Sequence, residues 1–300
     1  MNPADVPVAV DAIAQARGLS VPGSRDRGLI DALAMRYSTR SGADDDRLAT
    51  SYAGAMQRLA ERYAGDGDIA VLAAEAAMNE HAYDYWRANG RPQPWTPKII
   101  AWLDQALSVA PAHPGAHHYR IHLFEDSPQR EQALASAEQL GTLAPIVGHL
   151  VHMPSHIFFR LGRYREAVAS NDAAVRADRE YAEATGAGSD YAIHNLHYLW
   201  VSALWSGDDD TAVRAAEQLA AAAAGTAVEQ QGTRQHFLAA PVLTQARLHR
   251  SIALRHVAEA GPYSQGLTQF AQGMGYAARG DVAAARAELE LLQRSRRAAQ

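Results

Sequence analysis

The sequence contains no cysteine among its 300 residues. This absence excludes disulfide bonds, thiolate metal ligands and cysteine nucleophiles, and it leaves the redox compartment open. A metal site in this chain must therefore use nitrogen and oxygen ligands.

An excess of positive charge is also lacking. The formal net charge is −5, which gives no general electrostatic reason to bind nucleic acid or an anionic membrane. No apolar run approaches the length of a membrane span. The first residues, MNPADVPVAVDAIAQARG, have neither the basic region nor the apolar core of a signal peptide. We therefore expect a cytoplasmic protein that binds neither nucleic acid nor membranes.

Strand patterns are missing as well, and helical ones are abundant. Alanine is frequent, apolar residues recur at spacings of three and four, and no stretch alternates Val, Ile and Thr with polar residues. Hydrophobic residues make up 48% of the chain, enough to bury a large core. The sequence predicts an all-α protein with a single domain over residues 1–300.

A recurring turn pattern indicates how these helices are arranged. Small residues at fixed spacing let two antiparallel helices approach closely, as in the tetratricopeptide repeat of about 34 residues. We therefore predict a tetratricopeptide-like helical-repeat solenoid of six or seven stacked antiparallel helix pairs. Repeats are expected at 114–146, 148–181, from 193 onward and at 266–297, with an inserted loop at 182–192. The pattern consists of Gly162, Tyr164 and Ala167, of Gly280, Val282 and Ala285, and of Gly207 and Ala212.

The histidines follow the same period. Of the 13 histidines, nine lie between His113 and His197, and both His118 to His152 and His122 to His156 are 34 residues apart. Offsets of three, four and seven place side chains on one helix face, and in such repeats this face of the first helix lines the concave groove. We expect residues 67–206 to carry a site there. The candidate metal ligands are His118, His122, His149, His152, His156, His194 and His197, and the candidate catalytic residues are Glu75 and Glu125.

Other polar, aromatic and proline residues are assigned around these candidates. We expect structural roles for imidazoles that lie in the HPG turn, off the shared helix face, or isolated from the others. Pro154 predicts a kink or a restart of the helix between two candidate ligands. Structural roles are assigned to His81, His113, His117, His236, His249 and His256. Outer positions of the site are assigned to Asn195, Tyr119, Asp84 and Tyr191, and Tyr83, Tyr85, Trp86 and Trp95 either cover the groove or pack the helix pair.

The three histidine segments resemble those of a group of bacterial tetratricopeptide-like proteins. That group carries HPGAxHxxIHxxE, GHLxHMPSHIxxRxGRY and HNxHFL, and this chain has HPGAHHYRIHLFE, GHLVHMPSHIFFRLGRY and HNLHYLW. The resemblance extends from about Arg27 to the last repeat. It implies the helical-repeat fold and ligand-type residues at the nine candidate positions, but no reaction. The chain departs from the group in lacking an extra amino-terminal repeat and in having Thr268 and Gln269 where the group has an aromatic-histidine pair.

The ligand types narrow the metal and the function. Pairs of imidazoles at i and i+4 suit transition metals such as zinc, copper or iron, not calcium or magnesium, in a mononuclear or dinuclear site. Three functions stay open. The first is a metalloenzyme, an oxidoreductase acting on a small-molecule substrate, which the excess of histidine over carboxylate favours. The second is a zinc-dependent hydrolase or lyase with Glu75 or Glu125 as base. The third is a non-enzymatic scaffold that binds a protein or peptide partner in the groove.

Overall fold

The computed structural model describes residues 3–40, 44–225, 231–248 and 261–298. Within these ranges the chain is all-helical, as predicted, and the only strand-like feature is an isolated bridge between Trp86 and Pro92. None of the helices in these ranges has the length and apolar character that crossing a membrane requires. His249 and His256 lie outside the described residues. The chain forms two compact units, Met1–Leu143 and Ala144–Gln300, and the single domain over 1–300 stays a prediction.

The first unit is built from seven α-helices within its described residues. Consecutive helices pack on one another around a core that includes Ile69, Leu103 and Phe124, all with no exposed surface. Burying each such side chain contributes about 1.5–3 kcal/mol. The helices are α1 (Val6–Leu19), α2 (Arg25–Leu33), α3 (Asp45–Arg62), α4 (Gly67–Glu80), α5 (Thr96–Val109), α6 (Pro114–Phe124) and α7 (Leu134–Leu143).

The aromatic segment between α4 and α5 is attached to the helices of this unit. The indole of Trp86 donates a hydrogen bond of 2.6 Å to the carbonyl oxygen of Leu123 on α6, and Tyr85 is buried. Tyr83, by contrast, is 74% exposed. Trp86 and Tyr85 therefore pack against the helices, which is the simpler of the two roles expected for them.

The second unit contains the helices that carry most of the candidate ligands. Its core includes Leu199, Trp200 and Leu219. The loop predicted at 182–192 is shorter than expected, because the helix before it continues to Thr185 and the loop is 186–191. The helices are α8 (Gly148–His152), α9 (Pro154–Arg160), α10 (Tyr164–Thr185), α11 (Ala192–Ser206), α12 (Asp209–Ala224), α13 (Gln231–Leu238), α14 (Ala240–Arg247), α15 (Pro262–Ala278) and α16 (Val282–Ala298).

The predicted glycine turns join consecutive helices of this unit. Gly162, Gly207 and Gly280 have φ angles of 74°, 76° and 77°, a left-handed conformation in which a side chain is strained. Ala167 and Ala212, which follow Gly162 and Gly207, are completely buried, so those two pairs of helices approach closely, whereas Ala285 after Gly280 is half-buried. The helix pairs that the turn pattern predicts are confirmed at these places.

Gly148, at the start of α8, is required by a close approach rather than by its backbone angle. A Cβ atom at this position would overlap the Oδ1 atom of Asp178 on α10. The carboxylate of Asp178 also accepts a 2.7 Å hydrogen bond from Asn195 on α11. Through Asp178, α10 therefore contacts α8 and α11, the helices that carry His152 and His194.

We predict that Gly148→Ala destabilises the protein by about 1–3 kcal/mol, because a buried carboxylate must move to admit one methyl group. The free energy of unfolding in urea measures the effect. Gly188→Ala is the matched control, since a Cβ atom there meets nothing within 4 Å. Equal stabilities for the two variants would contradict the prediction.

Candidate metal centre

Three imidazoles from three helices of the second unit converge. The Nε2 atom of His152 on α8 lies 2.9 Å from that of His156 on α9 and 3.0 Å from that of His194 on α11. The three side chains form a group whose potential ligand atoms all lie within 4.8 Å of one another. We call this group the histidine triad. All three residues were predicted ligands.

The local backbone explains why His152 and His156 point the same way. Helix α8 ends at His152 and α9 begins at Pro154, so the predicted restart is confirmed. Met153 between them keeps helical angles (φ −50°, ψ −39°), and His156 N–H donates to its carbonyl oxygen at 3.2 Å. Proline at the first position of a helix removes no intrahelical hydrogen bond. The two imidazoles therefore keep the i, i+4 relation of one continuous helix.

Burial keeps the central imidazole uncharged. His152 has no exposed surface and His156 is 8% exposed, whereas His194 is half-buried. Burial, followed by the neighbouring imidazoles, lowers the pKa of His152 well below its usual value. A neutral imidazole is the form that binds a metal.

Asn171 on α10 contacts the triad, and the sequence interpretation missed it. Its Oδ1 atom lies 2.6 Å from Nδ1 of His152, on the side of the ring opposite the triad. Its neighbours on the same face of α10, Ala167 and Ala174, are fully buried alanines. An amide between two buried alanines on one helix face is the signal that would have pointed to it.

Tyr198 on α11 was also missed. Its ring centroid lies 4.8 Å from those of His152 and His194 and 4.7 Å from that of His156. Its hydroxyl lies 3.4 Å from Nδ1 of His156. The spacing of four residues from His194 was available in the sequence, but it marks a shared helix face and not a contact.

Two predicted residues of this unit lie beside the triad. The ring of His149 stacks on Tyr191 at a centroid distance of 4.0 Å and lies 6.2 Å from the ring of His152. Asn195, predicted for an outer role, bonds Asp178. It therefore fixes α11 against α10 rather than bonding an imidazole.

His197 faces another part of the second unit. Its ring lies 4.9 Å from Phe237, 6.0 Å from Trp200 and 6.1 Å from His236. Burial is the main cause that lowers its pKa to about 4, with His236 next. Its ring contacts among the described residues do not include the members of the triad.

The first unit holds the other four candidates. The rings of His118 and His122 are 4.8 Å apart, and Nδ1 of His122 lies 2.9 Å from Oε1 of Glu125, which is buried. Glu125 therefore contacts the Nδ1 nitrogen of His122 and orients its ring. Glu75 accepts a hydrogen bond from Asn79, and burial raises the pKa of its carboxyl group.

The remaining expected roles in this unit can be checked in the same way. His117 is buried between Ser136 and the carbonyl oxygen of Pro111, at 3.0 and 2.9 Å, and His113 caps the start of α6. Their structural roles are confirmed. Asp84, expected near the site, is exposed and bonds Gln93 at 2.6 Å. That His118 and His122 share an ion with His152 and His156 stays a prediction.

Comparison with known proteins adds no family to these observations. No protein-family model matches the chain, and no curated protein matches it significantly.

We predict that His197→Phe reduces the acid sensitivity of the protein. A histidine whose folded pKa is depressed binds fewer protons folded than unfolded, so its stability contribution is complete above about pH 6.5 and falls as the pH decreases toward about 4. Between these two pH values the protonation of His197 lowers the free energy of unfolding by about 2–3 kcal/mol, and His197→Phe should lack this loss. Urea unfolding of the metal-free wild type and variant across this pH range measures the difference.

The titration of His197 can also be observed directly by the NMR signal of its Cε1 proton. A midpoint near the ordinary histidine value, or an unchanged pH dependence of unfolding in His197→Phe, would contradict the prediction.

Proposed function

We propose that this protein is a metalloenzyme that binds a transition-metal ion through the Nε2 atoms of His152, His156 and His194. The observation that carries the proposal is the distance of 2.9–3.0 Å from His152 Nε2 to the other two nitrogens. Bonds of about 2.0–2.1 Å from a metal to nitrogen place neighbouring ligands about 3.0–3.4 Å apart. Small side-chain adjustments suffice for binding.

Three protein ligands support a catalytic rather than a structural ion. Structural zinc sites are closed by four protein ligands, and catalytic ones keep a position for water or substrate. The triad offers three nitrogens, and its member on α11, His194, is half-buried, so solvent can reach that side. We infer that the open position is used by a small-molecule substrate.

The donor set favours water activation as the chemistry. The triad contains no carboxylate, so a divalent ion held there keeps its full charge and lowers the pKa of bound water strongly. The non-haem iron oxygenases instead combine two histidines with one carboxylate. A zinc-dependent hydrolase or lyase therefore fits the triad best.

An oxidoreductase is the second candidate, and Tyr198 favours it. Its ring contacts all three imidazoles at 4.7–4.8 Å, so a phenol lies beside the site of a redox metal such as copper or iron. Identifying the native metal by mass spectrometry of the purified protein separates the two chemistries.

We also propose that the helix pairs are tetratricopeptide-like repeats. The left-handed glycines at 162, 207 and 280 and the buried alanines at 167 and 212 support this arrangement. Helical repeats provide a rigid support for ligands that come from separate helices.

We predict that metal-free protein takes up cobalt or zinc, and that His156→Ala weakens the binding by more than about 100-fold because one of three ligands is lost. Competition with a chelating dye measures the affinity. His236→Ala is the control, since His236 is outside the triad. Full metal occupancy in His156→Ala would reject this site.

The same assay tests the first unit. If His118 and His122 hold a second ion, His122→Ala loses one of two bound ions. A stoichiometry of one ion in both the wild type and His122→Ala leaves the triad as the metal site.

We predict that azide changes the visible spectrum of the cobalt-substituted protein, because an open coordination position accepts an exogenous ligand. A structural ion saturated by protein ligands would give no change, and its removal would unfold the surrounding helices. An unchanged spectrum together with loss of helical circular dichroism on chelation would overturn the enzymatic proposal.

A further inference from the structure

His152 is the central member of the triad, and both of its nitrogens are engaged. Its Nε2 atom faces His156 and His194, and its Nδ1 atom faces Asn171 on α10. A neutral imidazole has one N–H group and one lone pair. Which nitrogen carries the proton decides whether His152 can bind a metal at the triad.

The contacts of Asn171 fix the orientation of its amide. Its Nδ2 group donates to the carbonyl oxygen of Ala167 at 2.8 Å and lies 3.5 Å from Oγ of Ser202. A carbonyl oxygen only accepts, so the nitrogen must face Ala167 and the oxygen must face His152. The hydroxyl of Ser155 also donates to this oxygen, at 3.3 Å.

The amide oxygen therefore selects one tautomer of His152. Because Oδ1 of Asn171 has no proton, the 2.6 Å contact requires a proton on Nδ1 of His152. The lone pair of neutral His152 is then on Nε2, directed at His156 and His194. His152 is ready to bind a metal before the ion arrives.

We propose that Asn171 is a positioning residue that holds His152 as its Nδ1–H tautomer and so strengthens metal binding. This inference rests on the proposed metal site. Hydrogen-bond partners on the far nitrogen of a ligating histidine set the tautomer and the ring orientation. A neutral amide does this without adding negative charge, so the ion keeps the charge that makes it a strong Lewis acid.

The burial of Asn171 is consistent with this role. The residue has no exposed surface, and a buried amide is costly unless it is hydrogen-bonded. Its oxygen is satisfied by His152 and Ser155, and its nitrogen by Ala167. Outside α10 the side chain of Asn171 contacts Ser155 at 3.3 Å, Ser202 at 3.5 Å and His152 at 2.6 Å, and the contact with His152 is the shortest of these three.

The test compares cobalt affinity in Asn171→Leu, Asn171→Asp and Ser202→Ala. We expect Asn171→Leu to weaken binding by about 10- to 100-fold, because the oxygen that fixes the tautomer is lost. Asn171→Asp keeps an acceptor for Nδ1 of His152 but loses the donor to Ala167, so it should bind cobalt more tightly than Asn171→Leu. Ser202→Ala removes only a neighbour of the amide nitrogen and should bind as the wild type does.

Long-range ¹H–¹⁵N NMR of metal-free wild type reads the tautomer without relying on any variant to fold. A proton on Nδ1 of His152 supports the inference, and a proton on Nε2 overturns it. Unchanged affinity in a folded Asn171→Leu, or equal loss in Asn171→Leu and Asn171→Asp, would also overturn it. If wild type binds no metal, the proposed function fails, and the NMR result still decides whether Asn171 positions His152.

Discussion

The hydrogen bond between Asn171 and His152 connects a fully buried imidazole to the longest helix of the second unit. Helix α10 also contacts the start of α8 through Asp178, which in turn accepts a bond from Asn195 on α11. These contacts fix α8 and α11, which carry two of the three histidines, against the same helix. The geometry of the triad therefore depends on how α10 is positioned along its axis relative to its neighbours, because a shift by one turn would separate every one of these pairs.

The all-helical fold and the shared direction of His152 and His156 followed from the sequence because both depend on local rules. Glycine turns and alanine spacing are properties of neighbouring residues, and the i, i+4 relation of His152 and His156 is set by one helix face. Asn171 and Tyr198 could not be predicted in this way. Their contacts with the imidazoles depend on how α10 and α11 pack, and no sequence period records that packing. The same limit explains His197, which lies three residues from His194 but faces Phe237 and His236.

The electrostatics of the triad follow from its surroundings. Buried alanines such as Ala167 and Ala174 cannot stabilise a charge, burial lowers the pKa of His152, and the side chain that holds this imidazole is a neutral amide. A carboxylate in place of Asn171 would add a buried negative charge to the metal-free protein. In the first unit a carboxyl group, that of Glu125, contacts Nδ1 of His122, so the two units orient an imidazole with different kinds of side chain.

The three histidines of the triad differ in exposure, with His152 fully buried, His156 nearly so and His194 half-buried. If the triad binds an ion, as we propose, an ion arriving from solvent would reach the imidazole on α11 before the other two. The depth of each side chain would then control how fast the ion exchanges, separately from how tightly it binds.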